Sequence, residues 1–179
     1  MGTYVALLRG INVGGHRTVA MSDLRDLFDD LGFTGVKTLL QSGNIIFDAR
    51  RRSTTRLEDL LEKETAKQFG LATNYLVRSA TEFKKIVSDN PFAGEAKSDP
   101  SHLVVMFLKQ SPRAGSLDEL RASLHEPESL RCKGKQLYIV YSKGIGRSKL
   151  TGTLLERKLR TVGTARNWNT ILKLNRLCE

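Results

Sequence analysis

The sequence predicts an α+β protein built from two ferredoxin-like (alpha-beta plait) subdomains packed together. Three observations lead there. Residues 3–77 alternate between strand-like and helix-like hydrophobic periods in the order βαββαβ, the order of the ferredoxin-like plait. The second half repeats strand, helix, hairpin and helix. Between them, Gly94–Pro100 is polar and turn-rich and reads as the boundary. The expected subdomains are residues 1–93 and a basic 101–179 that ends in a helix.

In the first half, Thr3–Arg9 reads as a short buried strand stopped by Gly10. Ser22 is placed to cap a helix whose apolar positions Leu24, Leu27, Phe28 and Leu31 follow the 3.6-residue period, with Gly32 as its stop. Val36–Leu40 and Ile45–Phe47 are two strands joined by Gln41-Ser42-Gly43-Asn44, a hairpin turn by composition. A helix over Thr54–Phe69 carries Leu57, Leu60, Leu61 and Phe69 on one side and ends at Gly70. Thr73–Val77 supplies the fourth strand.

A helix over Ser79–Ser88 follows, striped by Phe83, Ile86 and Val87 and ended by Asn90-Pro91, because a proline ring disfavours a helical residue before it. His102–Leu108 is the most continuous β-run in the chain. Leu117–Leu124 reads as a helix, Leu130–Lys133 and Gln136–Tyr141 as a hairpin around Gly134, and Leu154–Leu159 as a helix. Thr153 and Glu156 have the spacing of a capping box at its start. In place of a clear fourth strand, the second half is expected to close with a helix over Trp168–Leu177.

Forty per cent hydrophobic and 27% charged residues are ordinary for a globular chain of 179 residues. The apolar run Tyr4–Leu8 is too short for a signal segment, and no stretch approaches the roughly 20 apolar residues of a membrane span. Cys132, Cys178, His16, His102 and His125 are scattered, which argues against a metal cluster or a disulfide framework and fits a reducing cytoplasmic setting. No triad spacing and no activated nucleophile can be picked out, so catalysis stays open.

The net charge of +10 is uneven. Residues 1–130 hold 17 Lys+Arg and 17 Asp+Glu, whereas residues 131–179 hold 12 Lys+Arg against Glu156 and Glu179. Such a field attracts polyanions or phosphorylated molecules over a reach of about 8–10 Å in salt. The alternative is a solvated lysine- and arginine-rich face that serves solubility.

Three segments offer a site. Gly10–Arg17 follows a strand and is rich in glycine, so it suits either an anion nest or a loop that needs positive φ; its candidate contacts are Arg9, Asn12, Gly14, Gly15, His16 and Arg17, with Ser42 and Asn44 of the hairpin turn beside them. It has neither the dinucleotide nor the P-loop fingerprint, and no cofactor is expected. Ser142–Thr151 precedes a helix and carries Lys143, Arg147, Ser148, Lys149 and Thr151, a set suited to phosphate or carboxylate. Arg166, Asn167, Trp168 and Asn169 open the last helix. They either stack and bond a base, or place Trp168 in the core with Asn167 as a cap and Arg166 as a strut. The loops are expected to converge on one groove.

The motifs LLRGINVGG (7–15), QSGN (41–44), NPF (90–92), SKLT (148–151) and ARNWNT (165–170) together resemble the domain-of-unknown-function 1697 family over essentially the whole chain. The resemblance implies a mainly bacterial α+β protein of two plait-like units and assigns no chemistry. The leading expectation is a module that binds an anion, RNA or a nucleotide- or phosphate-bearing molecule, with no membrane partner. The alternatives are an enzyme acting on a small phosphorylated or carboxylated substrate, and an interaction scaffold.

Overall fold

The structure, a computed structural model, describes residues 1–12, 18–124 and 128–179. The chain divides into two compact units, Met1–Lys85 with Leu174–Glu179, and Ile86–Lys173.

The first unit has the order β1 (Gly2–Leu8), α1 (Met21–Asp30), β2 (Thr34–Leu39), β3 (Asn44–Ala49), α2 (Thr54–Phe69) and β4 (Tyr75–Ser79). Its sheet is fully antiparallel, in the order β2-β3-β1-β4. Tyr4, Ala6 and Leu8 of β1 join Ile45, Phe47, Tyr75 and Val77 in one core with Leu24 and Phe28 of α1 and Leu57 and Leu61 of α2. Phe28 meets Phe47 edge-on at 5.0 Å between ring centres. The alternate residues Val5 and Leu7 are equally inaccessible, which is why β1 reads as a continuous apolar run rather than an alternating one. Helix α3 (Ala80–Ser88) leaves directly from β4.

The second unit contains α4 (Ala93–Ser98), β5 (Leu103–Leu108), α5 (Ser116–Ala122), β6 (Ser129–Lys133), β7 (Gln136–Val140), α6 (Gly152–Leu159) and β8 (Gly163–Asn167). Its sheet is again antiparallel, in the order β6-β7-β5-β8. Helix α7 (Trp168–Leu177) follows β8 without a break.

The fold class is therefore the expected one, with several corrections in detail. The second half does have a fourth strand: β8 pairs with β5 from Val104↔Asn167 to Leu108↔Gly163. Its sequence, GTARN, lacks an apolar run, so pairing with a fully buried central strand creates it, not propensity. Gly94–Pro100 is not a bare turn, because Ala96 and Asp99 N–H groups bond the carbonyls of Phe92 and Glu95 at 2.9 Å to form α4. Helix α1 starts after Ala20, without a side-chain cap, because burial of Met21 and Leu24 sets its beginning instead of Ser22. The cap of α6 is Thr151, whose hydroxyl accepts the Leu154 N–H at 3.2 Å. Thr153 lies inside that helix, and Glu156 turns away from its start to accept the Gly163 N–H at 2.9 Å.

The two halves also repeat each other in side-chain detail. Arg78 on β4 lies opposite Val5, and Arg166 on β8 lies opposite Val105. Each is buried, and each donates Nη1 to the carbonyl of the preceding residue at 2.8 Å. The next residue caps the following helix in both cases: Ser79 Oγ accepts from Glu82 N at 3.2 Å, and Asn167 Oδ1 accepts from Thr170 N at 2.9 Å. Phe83 and Ile86 of α3 then correspond to Ile171 and Leu174 of α7, all buried. Glu62 of α2 accepts the first N–H of β4, from Tyr75, as Glu156 of α6 accepts the first N–H of β8. Both helices end in the left-handed conformation, at Gly70 (φ 62°) and at Arg160 (φ 55°). Only glycine is free of steric cost there; an L-residue with a side chain costs roughly 1–2 kcal/mol.

Candidate functional site

The end of β1 and the β2–β3 hairpin are tied together. Gly43 adopts φ 72° in the turn, and its carbonyl accepts the Leu8 N–H at 2.9 Å. Asn12 Nδ2 donates to Gln41 O at 2.8 Å and Val19 O at 3.0 Å, while its Oδ1 accepts the Val19 N–H at 3.0 Å. Asn44 is fully buried, with Nδ2 bonded to Leu39 O at 2.7 Å and Ser42 Oγ at 3.1 Å. Asn12 is thus tied to Gln41, and Asn44 to Leu39 and Ser42, so the two asparagine amides brace the turn. Arg9 is half-buried; its backbone is held by Asn74 O at 3.0 Å and by Thr73 Oγ1 at 2.7 Å. The remaining residues of that predicted loop, Gly14, Gly15, His16 and Arg17, lie outside the described residues, as does His125.

In the second unit, the chain leaves β7 through buried Tyr141, whose hydroxyl donates to Leu150 O at 3.0 Å. Burial, with Glu128 adding to it, pushes the Tyr141 pKa up to about 12. A 3-10 turn over Ile145–Arg147 follows. Ser148 Oγ donates to Glu128 Oε1 and accepts the Leu150 N–H at 3.0 Å. The other Glu128 oxygen, Oε2, is buried with no hydrogen-bond partner among the described residues. Ser148 and Thr151 therefore shape the loop, and they leave Lys143, Arg147 and Lys149 exposed around the start of α6. Neither Arg147 nor Lys149 has an ion-pair partner among the described residues.

Arg166 is 8% exposed and donates Nη1 to Thr164 Oγ1 and to Ala165 O, both at 2.8 Å. Loss of solvation lowers its pKa to about 10. Trp168 is 4% exposed and belongs to the interior, as its helical spacing with Ile171 and Leu174 suggests. Asn167 caps α7, and Asn169 is exposed on its first turn. Arg166 and Trp168 thus have the surroundings of structural residues.

Two basic clusters escaped the sequence reading. One is Arg50-Arg51-Arg52, the exposed link between β3 and α2, where the Tyr4 hydroxyl accepts from Arg52 N at 3.2 Å and donates to Arg52 O at 3.1 Å. Arg51 and Arg52 border a cleft of about 420 Å³ with Thr3 and Thr81. Three consecutive arginines were the available signal. The other is an open cleft of about 550 Å³ between one face of α6 and the chain beyond β5, bordered by Lys109, Arg157 and Arg160. Its members are far apart in sequence, and the Lys109 N–H bond to Val162 O at 2.9 Å and the Gln110 N–H bond to Thr161 Oγ1 at 3.0 Å draw them together.

Among the described residues no group of three or more His, Cys, Asp or Glu is placed to hold a metal ion, and no helix is long and apolar enough to cross a membrane. Burial raises the pKa of both cysteines, that of Cys178 to about 11, so neither is an activated thiolate at neutral pH.

A search of curated proteins returned no match. Among solved structures, the conserved bacterial protein SP0830 from Streptococcus pneumoniae is similar over 99% of this chain and 99% of its own, with 25% identity and a TM-score of 0.77. Residues 1–138 match the family described as Protein of unknown function (DUF1697), covering most of the chain. With that match and two antiparallel four-stranded sheets in plait order, the chain belongs to the DUF1697 family.

Proposed function

We propose that the second unit binds an anionic ligand, RNA or a nucleotide- or phosphate-bearing molecule, through its basic surface. The observation that carries this reading is the exposure of its cations. Of the 11 Lys and Arg in its residues 131–173, Arg166 alone is buried, and the one acidic residue of that segment is Glu156. Concentrated like charge repels itself and costs stability, and an anion at the surface relieves it.

Arg147 and Lys149 are the contacts this reading favours, with Ser148 and Thr151 holding their loop. The Thr151 cap takes the Leu154 N–H and leaves the Gly152 and Thr153 N–H groups of the first turn of α6 without an intrahelical acceptor. A phosphate there meets two guanidinium or ammonium groups, two N–H donors and the positive end of the helix.

The test is titration of labelled single-stranded RNA into the purified protein at two salt concentrations. Binding should weaken with a log–log slope of about −0.7 for each phosphate neutralised. The double variant Arg147→Ala, Lys149→Ala should bind less tightly and with a shallower slope. Absence of binding at low salt, or binding indifferent to salt, refutes the polyanion reading.

A further inference from the structure

We propose that the cleft along α6 is a binding site for a small phosphate-bearing molecule, with Arg157 and Arg160 holding the phosphate and Lys109 facing it from the end of β5. The site rests on the reading of the second unit as an anion binder, but it is separate from the Arg147–Lys149 loop.

The helix supplies one wall. Thr153, Glu156 and Arg157 border the cleft at the i, i+3, i+4 spacing of one helix face, and Arg160, just past the end of the helix in the left-handed conformation, borders it too. The other wall is Lys109 and Thr161. Thr161 Oγ1 accepts the Gln110 N–H at 3.0 Å, and the Lys109 N–H meets Val162 O at 2.9 Å, so this wall is fixed by backbone bonds. The volume, about 550 Å³, falls within the usual range for small-molecule sites. The cleft is open, and four of the eight residues that border it, Lys109, Glu156, Arg157 and Arg160, are charged.

Two features point to the side chains and not merely to the hollow. Arg157 and Arg160 are exposed and have no ion-pair partner among the described residues, whereas Glu156, the one carboxylate in the lining, has Oε1 occupied by the Gly163 N–H. Arg160 also stands where the first unit has Gly70, in the same left-handed helix-ending position. Glycine removes the backbone cost at that position in one half; arginine keeps it in the other. Strain held at a cleft-lining cation is the pattern of a residue kept for its side chain. A planar guanidinium binds a phosphate through two parallel N–H groups, and Arg157 and Arg160 border the same cleft.

The experiment is calorimetric titration with pyrophosphate at low salt, on wild type, Arg160→Gly, Arg157→Gln and the double variant Arg147→Ala, Lys149→Ala. Arg160→Gly should weaken pyrophosphate binding by about tenfold or more, as expected for loss of a charge-assisted pair. Its melting temperature should hold or rise, because the left-handed strain is gone. Arg157→Gln should weaken binding similarly, and the loop variant, whatever phosphate it loses at the start of α6, should keep the component of pyrophosphate binding that Arg157→Gln and Arg160→Gly remove. Arg160→Asn, which tolerates the left-handed conformation, gives the same reading if Arg160→Gly folds poorly. Wild-type affinity in both Arg157→Gln and the Arg160 variant overturns the site. If the loop variant alone loses pyrophosphate, this site falls and the anion-binding reading stands. If wild type binds neither pyrophosphate nor RNA, both fall.

Discussion

Replacing Gly43 by alanine tests how tightly the β1 loop and the hairpin turn are joined. An added Cβ would lie 2.6 Å from Ile11 Cγ2 and 2.8 Å from Leu8 Cβ, both far inside ordinary contact. Ile11 and Leu8 are each 1% exposed, so neither can swing into solvent to make room. Two costs add. The left-handed backbone, φ 72°, costs an alanine roughly 1–2 kcal/mol, and forcing a methyl into a packed interior costs about 1–3 kcal/mol more. Gly70→Ala isolates the first cost, because it has φ 62° with nothing within 4 Å of the new methyl. Gly43→Ala should therefore lower unfolding stability by about 2–5 kcal/mol, and Gly70→Ala by only about 1–2 kcal/mol. Urea unfolding followed by circular dichroism measures both. Equal losses in the two variants would refute the close packing of Ile11 and Leu8 on the turn. The Gly43 variant should also loosen the Asn12–Gln41 bond, visible as faster amide exchange at Val19.

Alkali should unfold the protein from about pH 10 upward. Burial raises the pKa of Tyr141 to about 12 and those of Tyr75 and Tyr138 further. These phenols stay protonated in the fold while the unfolded chain releases their protons above about pH 10. Their contribution is complete below that pH and is lost at about 1.4 kcal/mol per pH unit per tyrosine as pH rises through the window. Burial lowers the pKa of Arg166, to about 10, and that of Arg78, and these two guanidiniums work in the opposite sense against the three phenols. Tyrosinate absorbance rising at pH 10 before Trp168 fluorescence changes would contradict this. Arg166→Ala should cost at least about 2 kcal/mol of stability, through loss of its bonds to Thr164 and Ala165 and the space it fills, with anion affinity unchanged. Lost anion binding at an unchanged melting temperature would instead make Arg166 a ligand clamp. Tyr75→Phe should cost about 1–2 kcal/mol, because it strands Thr65 Oγ1, fully buried and 2.8 Å from the Tyr75 hydroxyl; a neutral result would mean water replaces the bond.

The first plait was legible because each of its elements announces itself locally. Leu24, Leu27 and Phe28 recur with the helical period, Gly70 ends α2 in the left-handed conformation, and Gln41–Asn44 has turn chemistry. The tie of Asn12 to the Gln41–Asn44 turn follows from the same local signals, because two turn motifs flank strands that pair. The exposed cations of Ser142–Thr151 were equally visible, since charge and composition need no partner to be read.

Other features depend on residues far apart in the chain. Strand β8 has no apolar period of its own and exists by pairing with β5. Thr151 and Thr153 both suit a cap, and only the fold shows Glu156 committed to Gly163, which removes the capping box. Whether Arg166 is a contact or a strut depends on burial, which no local pattern encodes for a charged residue. The α6 cleft joins Lys109 to Arg157 and Arg160 across a long separation in sequence. Local sequence thus determined period, caps, turns and charge, because these act within a few residues. Tertiary structure decided pairing, burial and the company each arginine keeps, because those arise only when distant segments exclude water together.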